Sequence, residues 1–528
     1  MMKKLISCFM FPILVPIILY GQFQIDWQQS YGSMASDWGY DIAETDDGYL
    51  VTGIAGMGGG QVECFEEDGG GWLLKIDDSG NLIWQKCFDY AFAERIVKSG
   101  NKPNYYLVGM TNLEPYPDAA NLWVAKIDGF GNIIWERALG NNDGVSSYAF
   151  FGQSTLDGGI VATADIFSSG GDITNWYGGY DGWIVKLDSS GVKEWDFSIG
   201  TSQFEFINGI IQTTDGGYLA GLYGTPNGIG GNVDCDIQTV SKPDAIIYKI
   251  DADGNPEWHH CYGGSGHDGA GSLVETANGY LVAAFGGSND GDLTGSGWHG
   301  GDMDVWLFNI DFSGNIIWQK CYGGSNNEYP IRIFQSSDGG FVVFADTHSF
   351  DGDVVGNPSN SPENPSIWIF KVDGTGNLLW QQCIGGHDDE RVHGVVKHSD
   401  YKYTVAGEMN FSPSGDVNCS NFVYGSRQNY WVFGISDTTV NVGENVQEII
   451  DIKIYPNPAN SVLNIDFPSN YQILNTNIEI VDINGRTMLK IKPVSSSTQL
   501  DIKQLKPRLY IVKICNDKSL ITRRIIIQ

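Results

Sequence analysis

The sequence is short of basic residues. It carries 31 Lys and Arg against 63 Asp and Glu, a formal net charge of -32 at pH 7. That balance speaks against a nucleic-acid partner, because phosphate binding needs a basic face. Charged residues of either sign make up only 18% of the chain, which is low for a soluble protein. Beyond the N-terminus no apolar run is long enough to span a membrane, so no transmembrane helix is expected in the mature chain. Catalytic signatures are missing too: there is no H-E-x-x-H, no P-loop and no G-x-S-x-G. Gly264, Gly266 and Gly269 fit a dinucleotide fingerprint by letter, but they join two strand patterns and open no helix. An enzyme is therefore not indicated.

What is abundant is glycine, 69 residues, and aromatics, with 16 Trp, 25 Tyr and 25 Phe. That mixture suits an all-β protein with many tight turns. One sentence recurs along the chain. WLLKIDDSGNLIW starts at Trp72 and returns from Trp123, Trp183, Ile246, Trp306 and Trp368. Its first half alternates, as a half-buried strand does. Gly80, Gly131, Gly191, Gly254, Gly314 and Gly376 mark a hairpin turn that wants a left-handed residue. The Asp before each turn, from Asp77 to Asp373, can accept hydrogen bonds from the turn's backbone amides. A second hairpin signal, such as DDGYLVTG from Asp46 and DGGFVVFA from Asp338, falls between these units. Two hairpins make a four-stranded sheet with a period of roughly 60 residues.

Such a sheet cannot bury both faces alone, and radial stacking solves that. The closing Trp occurs at Trp27, Trp84, Trp135, Trp195, Trp258, Trp318 and Trp380. The last strand pattern, WVFGIS from Trp431, has no following Trp. The first, WQQSYG from Trp27, has no preceding strand. Each lacks what the other has. The expectation is all-β: a seven-bladed β-propeller over 22–437, closed by the N-terminal strand, and acting as a monomer. The pattern resembles a family of secreted bacterial β-propeller repeats over Trp27 to about Ser436. That resemblance speaks for architecture and is nearly silent on activity.

The chain opens with MMKKLISCFMFPILVPIILYGQ. Two lysines, an apolar run and a small residue before Gln22 read as a signal peptide over 1–21. Export permits disulfides. Cys87, Cys261, Cys321 and Cys383 each follow a repeat Trp by three places and read as small buried thiols. Cys64, Cys235 and Cys419 fall in loops, where a Cys64–Cys419 bridge is conceivable.

After a linker over 438–450 the grammar changes, and short strands with Lys and Arg suggest a small Ig-like β-sandwich over 451–528. Tyr455, Pro456, Asn457, Pro458, Asn464, Gly485, Tyr510 and Lys513 carry a resemblance to the C-terminal sorting domain of type IX secretion cargo. Pro507-Arg508 departs from that family, which commonly has Gly there. The resemblance implies handling by the type IX secretion machinery and its sortase. It also implies a secreted or outer-membrane-surface location in a diderm bacterium.

Function usually lives on loops held by a rigid scaffold. Asp290 and Asp292, echoed by Asp351 and Asp353, pair carboxylates one residue apart and could share a calcium ion. Asx turns in solvated loops are the plainer reading. Trp176, Tyr177, Tyr180 and Trp298 could stack on sugar rings as ligand-binding residues, against plain loop packing. Asp37, Glu94, Glu205, Asp268, Glu328 and Glu390 stand near the start of the innermost strands. They could ring the channel mouth, but carboxylates so placed more often accept backbone amides. Arg95, Arg332 and Arg391 lie near the same strands in different registers. The function read from this is a secreted or surface binding module for a glycan or protein ligand. The alternatives are a propeller glycosidase or polysaccharide lyase using loop-face carboxylates, and a structural surface component.

Overall fold

A computed structural model provides the three-dimensional structure. It describes residues 19–20, 23–64, 69–100, 103–115, 119–225, 230–235, 242–410, 414–419, 428–437, 453–455, 459–467, 476–482, 487–493, 495, 497–506, 508–515 and 520–527. The chain divides into two compact units, residues 1–436 and 437–528. Most of the expected signal peptide and the whole expected linker lie outside the described residues.

Among the described residues the first unit holds seven four-stranded antiparallel sheets, one with a short extra strand at its edge. Their first strands are Trp38–Thr45, Ala91–Lys98, Ser146–Ser154, Glu205–Gln212, Asp268–Thr276, Glu328–Gln335 and Glu390–Ser399. Each first strand packs beside the next, and the seventh packs beside the first, so the sheets form a closed ring. The last sheet takes its fourth strand, Phe23–Tyr31, from the N-terminus, as expected. Ser436 Oγ and Asp26 Oδ1, 2.8 Å apart, pin that closure.

The repeated letters have repeated jobs. Each turn Asp accepts backbone amides two and four places on, as Asp311 does from Ser313 and Asn315 at 2.9 Å. The third-strand Trp is buried, and its indole N–H meets a polar side chain beside the closing Trp. Trp72 thus donates to Gln85, Trp183 to Asp196 and Trp368 to Gln381, each at 3.0 Å. A buried indole N–H left unpaired would cost free energy, which explains the polar residue after the closing Trp in the sheets whose third strand carries a Trp.

The closing Trp reaches the next sheet. Gly191 has φ +83°, and a Cβ there would lie 2.8 Å from the Trp135 ring. The same contact joins Trp27 to Gly80, Trp84 to Gly131, Trp195 to Gly254 and Trp318 to Gly376. So the turn glycine serves twice, in its backbone angle and in the room it leaves for the neighbouring indole.

Two cysteine expectations need correction. Cys87 and Cys261 are not free thiols; they form disulfides with Cys64 and Cys235. The bridge from Cys64 therefore goes to Cys87 and not to Cys419. The loop between the second and third strands folds back over the fourth strand of its own sheet, which brings the Cα atoms to 5.8 and 5.9 Å. Cys321, Cys383 and Cys419 are free.

In the second unit one sheet orders Lys453–Tyr455, Val462–Asp466 and Ser497–Asp501. The other orders Thr487–Ile491, Asn477–Asp482, Arg508–Cys515 and Leu520–Ile527. Leu463, Ile465, Ile480, Leu500, Val512 and Ile514 fill its core.

Where the two bridged sheets have a loop cysteine, the fifth has Ser296, whose Oγ accepts from Cys321 Sγ at 3.2 Å. Ser296→Cys is expected to form a third disulfide. It closes a loop like the native ones and should add about 3 kcal/mol by loop-closure entropy. Thiol counting in denaturant and a melting curve with and without reductant check this. An unchanged thiol count would contradict the loop placement.

Candidate functional site

Most of the loops joining second to third strands are latched to the preceding sheet in one recurring way. A residue in the loop exchanges two hydrogen bonds with a glycine at the end of that sheet's fourth strand. Asp292 N donates to Gly263 O at 2.9 Å, and Gly263 N donates to Asp292 Oδ2 at 3.1 Å. Asn232 does the same with Gly200, Asp172 with Gly140 and Gln61 with Gly32. Asp290 accepts the Ser265 amide and Asp351 accepts the Ser325 amide, both at 2.7 Å. Asp353 N donates to Gly323 O at 2.8 Å, and Asp353 Oδ2 lies 3.4 Å from His299 Nε2. The two Asp-Gly-Asp stretches thus stand at equivalent latches of neighbouring sheets. Among the described residues no three His, Cys, Asp or Glu come together as a metal site.

The inner-strand carboxylates form a second recurring set. Asp37, Glu205, Asp268, Glu328 and Glu390 are fully buried. Each accepts the amide four residues back, as Glu390 does from Gly386 and Asp37 from Ser33, both at 2.7 Å. Burial is the main influence on their acidity, and the hydrogen bonds pull the other way. Asp37 is pushed up to about 6. Glu205, Glu328 and Glu390 are each pushed up to about 7. Glu94 departs from this set; it is half-buried, three places further along its strand, and burial raises it beside Arg95.

Of the loop aromatics, Trp176 is 40% exposed and donates to Gly179 O at 3.3 Å. Tyr177 gives its amide to the buried Asp181 at 2.6 Å. Trp298 packs on the core of the fifth sheet, with its indole N–H buried and unpartnered. Tyr180 lies 5.5 Å from Phe206, at the edge of a larger array.

That array escaped the sequence reading. Phe206 stacks on Tyr223 at 6.3 Å, Tyr223 meets Phe285 at 5.6 Å, and Phe285 meets Tyr329 at 6.4 Å. All four rings are half-buried. They come from the starts of first strands and the ends of second strands in the fourth, fifth and sixth sheets, where the channel opens on the loop face. Gly269 stands where its neighbours carry rings; a Cβ there would lie 2.3 Å from Phe285. The sequence signal was an acid followed by an aromatic at Asp37-Trp38, Glu205-Phe206 and Glu328-Tyr329.

The rest of the mouth is charged. Arg391 donates to both oxygens of Asp389, at 2.9 and 3.2 Å. Glu408 Oε1 lies 3.6 Å from Arg391 Nε and 3.7 Å from His393 Nε2. Tyr40 meets His393 edge-on at 6.1 Å. Arg95 sits 4.6 Å over the Phe151 ring, and Arg332 lies 3.7 Å from Asp41. Burial, with Arg95 beside it, lowers Arg332 to about 10. Several buried polar atoms here have no hydrogen-bond partner: Glu408 Oε2, Asn410 Oδ1, His393 Nε2 and Arg95 Nε.

In the second unit Tyr455 is exposed and donates to Asp466 at 2.7 Å. Asn464 accepts from Gln499 at 3.1 Å, and Tyr510 is buried with its hydroxyl on Lys506 O. Lys513 stands opposite Glu479 in the sheet. Pro456, Asn457, Pro458 and Gly485 lie outside the described residues.

A carboxylate raised in the folded state binds its proton there more tightly than in the unfolded chain. Its contribution is complete below about pH 4 and is lost as pH climbs through the folded values near 6 and 7. Asp157 and Asp400, both lowered to about 2, act oppositely and fail only under acid. The melting temperature is thus expected to fall by several degrees from pH 5 to pH 8. A melting temperature that rises over that interval contradicts the burial of the acidic set.

Residues 453–528 match the family model of the secretion system C-terminal sorting domain. No curated protein matches the sequence. Among solved structures the chain is similar to a protein of unknown function from Dyadobacter fermentans. Identity is 10% and the TM-score 0.40, over 79% of this chain and 99% of that one. It is also similar to the polysaccharide lyase Uly1, at 8% identity and TM-score 0.41, over 78% and 99%. A third is PorZ, a surface component of the type IX secretion system of Porphyromonas gingivalis. There identity is 11% and the TM-score 0.21, over 94% and 75%. Among the described residues no helix is long and apolar enough to cross a membrane. The sorting domain marks the chain for export through type IX secretion to the cell surface or the extracellular space.

Proposed function

We propose that this chain, exported under its C-terminal sorting domain, works outside the cell as a binding module. The ligand is a glycan or a protein, and the contact surface is the loop face of the ring. The observation that carries this reading is the channel mouth. A ring of near-identical sheets departs from its own repeat there, with half-buried aromatics on one side and incompletely paired polar groups on the other. Buried polar atoms without partners are costly unless something arrives to pair them. Scaffold regularity with local irregularity at a concave opening is how binding sites are commonly built.

The reading includes the processing of the chain. The leader is removed before Gln22, and the type IX sortase cuts within 438–450. The surface protein is then the propeller alone. Intact-mass analysis of protein recovered from the cell surface is expected to give a chain ending inside that linker. A mature chain that still holds Arg523 and Arg524 contradicts the cut.

A rival reading makes the carboxylates at the mouth catalytic, as in a glycosidase or polysaccharide lyase. Incubating the mature protein with a panel of polysaccharides, and scoring retention and new chain ends together, separates the readings. Retention without release is the expected result. Release of ends would replace the binding module with an enzyme. Neither signal would point to a protein ligand or a structural surface role.

A further inference from the structure

We infer that the ligand site is the mouth of the central channel itself, and that it takes an uncharged sugar unit of a neutral glycan. This rests on the binding-module reading and names its site and ligand class.

The aromatic side comes first. Phe206, Tyr223, Phe285 and Tyr329 form one continuous arc, each ring within 6.4 Å of the next. They come from three sheets and are half-buried rather than sealed in a core. A pyranose has a C–H face that packs well on such rings, and its hydroxyls remain free on the other side.

The polar side supplies what those hydroxyls need. Glu408 belongs to a strand of the seventh sheet, and its side chain is 7% exposed. One of its oxygens faces Arg391 and His393, while the other has no partner. Asn410 Oδ1, two residues on in the same strand, is also buried and unpartnered. Two acceptors left open beside an aromatic arc call for a ligand rich in hydroxyl donors. Tyr329 borders the polar side, since it and Arg391 hold equivalent places at the starts of first strands in neighbouring sheets.

Charge sets the class. Among the described residues at the rim, Arg391 is already held by both oxygens of Asp389, while Arg95 and Arg332 stand three places further along their first strands, over the Phe151 ring and beside Asp41, so a uronate or sulfate at the rim meets no open guanidinium there. The chain's net charge of -32 repels polyanions at longer range. Polar but uncharged sugars satisfy the open acceptors at no electrostatic cost.

The test uses the full chain, titrated with cellohexaose, laminarihexaose, chitohexaose and, as the charged control, hexagalacturonate. At least one neutral hexasaccharide is expected to bind, and hexagalacturonate is not. Phe206→Ala and Tyr329→Ala should each weaken that binding at least tenfold. Tyr329→Phe should keep it within about threefold, since the ring does the stacking. Glu408→Gln should weaken it too, with the melting temperature near that of the parent. Because alanine at the rim can disturb folding, each variant's melting temperature is compared with the parent's, and Phe130→Ala, an exposed ring in the hairpin turn at the far end of the second sheet, should bind as the parent does. Binding that survives both rim alanines and is lost in Trp176→Ala overturns the mouth as the site, yet leaves the binding module standing. Binding of hexagalacturonate alone overturns the neutral class. No binding to any of the four contradicts the glycan inference, and the binding module would then need a protein ligand.

Discussion

The structure depends on one contact made again and again. A closing indole of one sheet lies over the turn glycine of the next, where any side chain would collide with it. Trp135 on Gly191 is one instance, and Trp27 on Gly80 joins the closing sheet, where the two chain ends meet, to the first sheet. Each contact fixes the position of one sheet against the next, and the ring converts these local fixings into a rigid whole. Tyr322 strengthens the same joint by donating from its fourth strand to the Gly376 carbonyl at 2.5 Å, and at Gly314, where the His260 ring takes the place of the indole, Tyr262 donates likewise at 2.6 Å. Where the repeat runs out, at the closing sheet, Trp380 meets Phe23 edge-on at 5.4 Å, and the Gln382 side chain bonds both the N–H and the C=O of Phe23.

Much of this was legible because it is written locally. The hairpins, the Asp at each turn and the complementary chain ends all sit within short stretches whose spacing repeats. The second unit was legible for a different reason, its resemblance to a known sorting domain. The disulfides were not legible. Cys64 and Cys87 pair because a loop folds back over the fourth strand of its own sheet, and nothing in the spacing of the two cysteines says so. The latch role of Asp292 was hidden likewise, since its partner Gly263 belongs to another sheet.

The mouth is the instructive case. The sequence points to the long loops, because loops commonly carry function. The continuous aromatic array instead lies on strand ends, with Tyr180 at its margin. Phe206 and Tyr329 each follow an acid that is buried for structural reasons, and that pairing marks the rim in several repeats. The array as a whole is not visible in the sequence. Tyr223 and Phe285 reach it from second strands whose neighbours at the same height in other sheets are Asp346 and Glu408. The same backbone position thus presents a ring in one sheet and a carboxylate in another. A repeat keeps the scaffold constant and leaves such positions open to vary, and that variation is where one ring can differ from another in what it holds.

The central claim is that function sits at the mouth, on positions where a rigid repeat departs from itself. The most direct measurement is a crystal structure of the protein with a bound neutral hexasaccharide. The account requires a sugar ring packed against Phe206 and Tyr329, with a hydroxyl within hydrogen-bond distance of Glu408. A sugar found out on the loops around Trp176 or Trp298, with the mouth holding only water, would contradict it.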